Sequence, residues 1–411
     1  MKITIYHPQG NANVRASALA FEEAGILHEY HTSIACFEGS YLNALAHFRP
    51  FAEFKRRKLE TALEKFTKTS PMLEMGRILA SKGKFTPLIK HEKGVFSVSA
   101  ITRNLDKKVS SSIEKAKDKG LTAIYAFEDG AVQSFREAKK HGLICIYDLP
   151  TGYWRAKLKI LEAEKAKFPE WQNTIRALID SEEKLTLKDE EIALAERIIV
   201  ASRFTASTLT DYPGALPPVH IVPYGFPSVA GIRRHNNFDK RSPIKLLFVG
   251  NLSQQKGIAN LFDAVKGLED RVSLTLIGKK ATDDCASLNA ALARHNYIPG
   301  LPHHEVLAAM RSHDVLVFPT LFDGFGLVIT EAMSQGTPVI TTQHSAGPDL
   351  IEHGKNGWLV EAGSTEKLRA AIEHLIEHPG QITEAGNSAM ETARLRPWSV
   401  FRKELAEAVR D

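Results

Sequence analysis

The sequence predicts an α/β chain made of two doubly wound parallel-sheet units facing a central cleft. Three observations carry this. Short β-branched runs alternate with longer helical patterns along most of the chain, the signature of βαβ units. The alternation breaks in SVAGIRRHNNFDKRSP, residues 228–243, a polar stretch interrupted by Gly and Pro, and then restarts. A length of 411 residues suits two or three domains.

In the first half the strands are KITIYH (2–7), LTAIYAF (121–127), LICIYDL (143–149) and RIIVAS (197–202), with HIVPYG (220–225) as a shorter candidate. Between them lie helices such as VRASALAFEEAG, stopped by Gly25, and AVQSFREAKKHG, stopped by Gly142. After the break come strands IKLLFVG (244–250), SLTLIG (273–278), the short YIPG (297–300), DVLVFPT (314–320) and TPVITT (337–342). Helices IANLFDAVKGL, HHEVLAAMRSH, LVITEAMSQG and STEKLRAAIEHLIEH intervene, and RPWSVFRKELAEAVRD reads as a last amphipathic helix. The expected division is a first domain over 1–228, a linker over 229–243, a second domain over 244–393 and a final helix over 394–411. Strand ends from both sheets then line the cleft between the domains.

Bulk properties narrow the class. With 43% hydrophobic and 25% charged residues the composition is that of a soluble globular enzyme. Cys36, Cys145 and Cys285 lie far apart without C-x-x-C spacing, which supports neither a disulfide framework nor a structural zinc site and fits a reducing compartment. MKITIYHP reads as a strand and not as a signal peptide, and no run of about 18 apolar residues suits a membrane span. The expected location is cytoplasmic. The net charge of +5 is uneven: residues 51–120 hold 17 Lys and Arg against 8 Asp and Glu. Such a segment suits peripheral contact with an anionic inner membrane face or an acidic substrate, and more readily a solvated helical face.

The densest chemistry lies in FDGFGLVITEAMSQGTPVI, residues 322–340. A buried strand ends, LFDGFG turns, and from about Leu327 the apolar spacing becomes helical until Gly336. The N–H groups of the first turn, around Phe325, Gly326 and Leu327, have no intrahelical acceptor and with the helix dipole form an anion site. Gly324 and Gly326 let a ligand approach the backbone. Glu331, one and a half turns in, suits the paired hydroxyls of a ribose, and Asp323 suits a second sugar. A second loop agrees: IKLLFVG ends at Gly250, Asn251 follows, and Lys256 stands where an ammonium neutralises phosphate oxygens.

Taken together, FVGNLSQQKGIANLFDAV and FPTLFDGFGLVITEAMSQGTPVITTQHSAGPDLIEHGKNGWLVEAGS resemble the donor-binding signatures of the retaining family 4 (group 1) glycosyltransferases of GT-B fold. AERIIVASRFTASTL, IVPYGF and IPGLPHHEV are similar to further motifs of that family, in its order and spacing. The resemblance implies two Rossmann-like domains, the first on the acceptor side. It implies that Asp323 and Glu331 are the acids of the E-x7-E element, Glu331 on the ribose and Asp323 on the donor sugar. Phe325, Gly326 and Leu327 would meet the diphosphate, with Lys256 offsetting its charge, and the final helix would cross back to the first domain. Two positions of the second half depart from the pattern. The first acid is Asp instead of Glu, and Asn251 stands where many members carry an Arg.

In the first half, HPQGNANVRAS places Gly10, Asn11 and Asn13 at a strand end facing the cleft; a plain turn with Asn13 as helix N-cap fits equally. YAFEDG places Glu128 and Asp129 past a strand, and IYDLPTGYWR places Tyr147, Asp148, Tyr153, Trp154 and Arg155 past the next. Tyr147 stands where the family often has a His, and Asp148 is the nearest acid able to replace its hydrogen bond. Glu128, Tyr153 and Trp154 suit a carbohydrate-binding wall, while Tyr153 and Trp154 equally suit packing of a helix onto the sheet.

No D-x-D pair appears and the sixteen histidines lack ligand spacing, so no catalytic metal is expected. The reading is a metal-independent transfer from a nucleotide-diphosphate sugar to a hydroxyl of a glycan, glycolipid or small molecule, with retention of configuration. No cofactor is needed beyond that donor, and no nucleic acid is involved. Catalytic roles fall to Asp323, Lys256 and Asp148. A nucleotide-sugar epimerase of related fold and a non-catalytic nucleotide-sugar binder also need the same anion site.

Overall fold

The structure, a computed structural model, describes residues 1–40, 57–175, 179–231, 233 and 242–411. Much of the expected linker (232 and 234–241) and part of the basic segment (51–56) lie outside them. Two parallel sheets organise the rest. The first orders its seven strands β3-β2-β1-β4-β5-β6-β7, with β1 Ile3–Tyr6, β2 Leu27–Thr32, β3 Thr67–Thr69, β4 Ala123–Phe127, β5 Ile144–Leu149, β6 Arg197–Val200 and β7 Val219–Ile221. The second orders six strands β10-β9-β8-β11-β12-β13, with β8 Ile244–Val249, β9 Val272–Ile277, β10 Asn296–Ile298, β11 Val315–Phe318, β12 Val339–Thr342 and β13 Gly357–Val360. Both sheets reverse direction of growth beside their first strand, and ligand crevices form at that point in doubly wound folds.

The central strands are buried on both faces, so they read as continuous apolar runs. ITIY, AIYAF and VLVF are buried throughout. Three strands escaped sequence reading. β2 (LHEYHT) carries polar residues at four of six positions, β3 (TKT) is a three-residue edge, and β13 (GWLV) opens on Gly. Each is short or near an edge, where hydrophobic patterning is weakest.

The last helix, Trp398–Ala408, packs against Ala12–Glu23 of the first domain. Arg402 Nε meets Glu23 Oε2 at 2.8 Å, and Phe401 and Leu405 are buried. Arg396 and Phe226 form a backbone hydrogen bond of 2.9 Å where the chain returns.

Candidate functional site

The turn after β11 is fixed from both ends. Asp323 Oδ1 accepts the Phe325 N–H at 3.1 Å, an Asx-type turn, and Asp323 Oδ2 pairs with the Lys256 ammonium. Lys256 ends a 3₁₀ turn, Gln254–Lys256, and lies 5.5 Å from the centroid of the Phe318 ring. The helix Leu327–Ser334 starts from Gly326 at φ +82°, a conformation that favours Gly. A Cβ on Gly326 would lie 2.9 Å from the same Phe318 ring. Phe318 therefore packs near both the cation and the helix start.

The amides of Gly326, Leu327 and Val328 donate to no acceptor among the described residues. They are the orphan donors that an anion would satisfy. Phe325 corrects the sequence reading: its amide is already taken by Asp323, and its ring is buried 4.8 Å from Tyr224. Gly324 is corrected too. Its missing side chain serves domain packing, because a Cβ there would meet Pro150 O at 2.1 Å and Thr151 Cα at 2.7 Å. Its carbonyl accepts Ser202 Oγ at 2.5 Å and Thr205 Oγ1 at 2.9 Å, so the turn is clamped to the first domain.

Glu331 is partly buried and accepts His303 Nε2 at 2.9 Å. This hydrogen bond raises the His303 pKa. His303 opens the helix His303–Ser312, and sequence reading gave it no role. Glu331 lies 28 residues away, too far for any local signal. Gly250 ends β8 half-buried, and Asn251 is exposed beside the chain carrying Lys279, whose carbonyl accepts the Leu252 N–H at 2.9 Å.

On the first-domain side, Asp148 is buried and accepts the Tyr125 hydroxyl at 2.5 Å; burial pushes its pKa up to about 7. Tyr224, a residue sequence reading passed over, joins the two halves. Its hydroxyl accepts Asn13 Nδ2 at 3.2 Å, and its pKa is raised by burial, then by the charge of Asp148, with a smaller contribution from Asp323. Asn13, Tyr224, Asp148 and Asp323 thus share one electrostatic neighbourhood at the base of the cleft. Asn13 does not cap its helix: that position is Asn11, exposed and making no side-chain cap bond. Gly10 is buried, and its carbonyl accepts Arg15 Nη1 at 2.6 Å.

Tyr147 points to the opposite face of β5 from Asp148, donating to buried Glu191 at 3.1 Å, and so does not replace a sugar-binding His. Tyr153 and Trp154 are corrected as a sugar wall. With Arg155 they converge on Asp189, at 2.7, 2.6 and 2.6 Å, and pack helix Glu182–Leu194 against the domain. Tyr153 is buried; the partly buried Trp154 lines a cavity that also includes Glu128. Glu128 accepts Lys188 Nζ and Thr151 Oγ1, each at 3.0 Å.

Residues 231–394 match the family model described as glycosyl transferases group 1. Among curated proteins the chain is similar to the phosphatidyl-myo-inositol mannosyltransferase of Mycobacterium leprae, 30% identical over 166 residues, 39% of this chain and 44% of that protein. It is also similar to the MMP α-(1→4)-mannosyltransferase of Mycolicibacterium hassiacum, 26% identical over 208 residues, 49% of this chain and 50% of that protein. The chain spans about half the length of the curated relatives it matches. Its whole length superimposes on the sucrose-phosphate synthase of Thermosynechococcus elongatus, with a TM-score of 0.63, 17% identity and 98% of that chain covered. The same holds for Anabaena HepE in complex with UDP and glucose, with a TM-score of 0.63, 17% identity and 99% covered. The fold is GT-B.

Proposed function

We propose, from the premise that residues 231–394 belong to the group 1 glycosyl transferases, that the chain moves a sugar from a nucleoside-diphosphate sugar to a hydroxyl acceptor with retention of configuration. The observation that carries the reading is the set of free amides at Gly326–Val328, with Lys256 paired to Asp323 of the same turn and Glu331 further along the same helix.

In that arrangement the diphosphate lies on the helix start, and Lys256, released in part from Asp323, offsets its charge. Glu331 turns from His303 to the ribose hydroxyls. When the bond between the sugar's anomeric carbon and the phosphate oxygen breaks, negative charge develops where amides and ammonium are already aimed. Such preorganised stabilisation dominates many enzymatic rate enhancements. The acceptor oxygen bonds to the anomeric carbon on the face the phosphate leaves, and the acceptor proton passes to the departing phosphate. Asp323 and Asp148 orient the sugar. Amides and one ammonium supply the counter-charge, so no step calls on a divalent metal or on a cofactor beyond the donor, as in family 4.

HepE binds UDP and glucose, and two curated relatives are mannosyltransferases. Uridine and mannosyl donors therefore come first in a test panel. The acceptor is a sugar or lipid-linked hydroxyl, met at the cytoplasmic face of a membrane; no helix among the described residues is long and apolar enough to cross one.

The experiment is thermal denaturation with a panel of nucleoside diphosphates, because a ligand binding only the folded state raises its stability by mass action. One diphosphate should raise the melting temperature of the wild type, and Glu331→Ala should weaken its binding about tenfold or more. Equal binding by the variant, or no response to any nucleotide, overturns the assignment.

A further inference from the structure

The loop between β5 and helix Trp154–Lys167 touches the donor turn on one side. A Cβ on Gly152 would stand 2.4 Å from the Phe322 ring, and Gly324 meets Pro150 and Thr151 backbone as described. Beyond Thr151 and Gly152 lies a cavity of about 330 Å³, at the small end of the roughly 300–1,000 Å³ typical of ligand pockets. Its charged walls are largely satisfied among themselves. Lys188 holds Glu128 at 3.0 Å and Asp129 at 3.3 Å, and Lys184 holds Asp180 at 3.0 Å and Asp129 at 3.1 Å. His91 also meets Asp180, at 2.8 Å.

Lys157 is the exception. It lines the same cavity, is partly buried, and its ammonium has no carboxylate or other acceptor among the described residues. Burial lowers its pKa, and the positive charges of Lys188 and Lys256 push in the same direction, against the attraction of Glu128 and Asp180. Lys157 shares this cavity with Thr151 and Gly152, the loop residues that abut the donor turn. A half-buried ammonium without a paired acceptor is costly, and an arriving anion offsets that cost.

We infer that this cavity takes the acceptor, and that the acceptor carries a phosphate or carboxylate group, which Lys157 binds while a neighbouring hydroxyl faces the Asp323 turn. The inference rests on the transfer reading and names its acceptor class. Lys157 is a positioning residue: it holds the acceptor and touches neither the breaking nor the forming bond.

The probe is inorganic phosphate, measured by thermal shift with the donor site kept saturated by the nucleoside diphosphate that stabilises the protein most. Phosphate should stabilise the wild type and Lys157→Arg, and should bind Lys157→Met about ten- to a hundredfold more weakly. KM for a phosphorylated polyol should rise in Lys157→Met with kcat little changed. Glycerol 3-phosphate competing with phosphate identifies a soluble source. Competition only by phosphatidic acid in phosphatidylcholine vesicles identifies a lipid headgroup. Equal phosphate binding by wild type and Lys157→Met, or none by either, overturns the inference. If no nucleotide binds, the transfer reading fails instead, and the phosphate comparison run without nucleotide still decides whether the cavity holds an anion.

Discussion

Asp148 shows how a single side chain at the cleft base trades stability for position. Its neighbours are the Tyr125 hydroxyl, which donates to it, and the buried Tyr224 beyond. An unfolded Asp titrates near 3.9, whereas burial raises this one to about 7. Below about pH 4 both states hold the proton and the group is neutral in its effect. As pH rises towards 7 the unfolded chain ionises freely while the folded one resists, so stability is lost across that window, and above pH 7 the loss is complete. Asp148→Asn keeps an oxygen to accept from Tyr125 and removes the ionisation. Its stability should match the wild type at pH 4 and exceed it at pH 7.5 by something of the order of 2–4 kcal/mol, read from denaturant midpoints at a series of pH values. Comparing the variant with the wild type cancels the contribution of Glu191, whose pKa burial raises to about 8 in both. Donor turnover should fall at least about tenfold. Stability gained together with activity lost marks a residue kept for its chemistry, and a flat pH comparison would remove Asp148 from the site.

At the level of elements, the strand–turn–helix around Asp323 joins ligand binding to domain docking. Gly324→Ala brings a Cβ against Pro150 and Thr151 backbone, which yields far less readily than a side chain. Overpacking of this kind costs about 1–3 kcal/mol, and relief by shifting the turn would carry Asp323 away from Lys256. The variant should therefore lose stability by that amount in denaturant titration and bind donor more weakly; unchanged stability and affinity would mean that the turn is not held against the first domain. The element itself was legible in the sequence because its signals are local: glycines, an apolar run at helical spacing, a closing Gly336. Which face each β5 residue presents was not. A strand buried on both sides lacks polar–apolar alternation, so Tyr147 and Asp148 could not be told apart. Likewise Tyr153, Trp154 and Arg155 took their role from Asp189, 34 to 36 residues on, which no spacing rule anticipates.

Across the whole molecule, exposed apolar surface is concentrated in one place. Of eleven exposed large hydrophobic residues among the described ones, six (Met72, Leu79, Phe85, Leu88, Val95 and Val98) lie within one span of the first domain. The exposed charges between them, Lys82, Lys84, Lys90 and Lys93, are all basic, while Glu74 is buried with Arg57 and Arg77 and Glu92 accepts Ser181. Scattered apolar residues on a surface need no explanation, but a run of them interspersed with exposed charges of one sign does. An anionic bilayer satisfies both parts, since apolar side chains enter the headgroup boundary and each lysine contributes about 1 kcal/mol near the surface. The span is also tied to the Lys157 cavity: His91, within it, pairs with Asp180 on the cavity wall. A membrane-borne acceptor would then be presented beside the cavity that receives it. The protein should sediment with phosphatidylcholine vesicles containing about one-third phosphatidylglycerol and be released as salt screens the lysines. Leu79→Ser with Phe85→Ser, and separately Lys84→Glu with Lys90→Glu, should each weaken that binding about tenfold while leaving acceptor-independent donor hydrolysis intact. Equal sedimentation with neutral vesicles, or concentration-dependent self-association abolished by the same changes, would assign the patch to something other than an anionic bilayer.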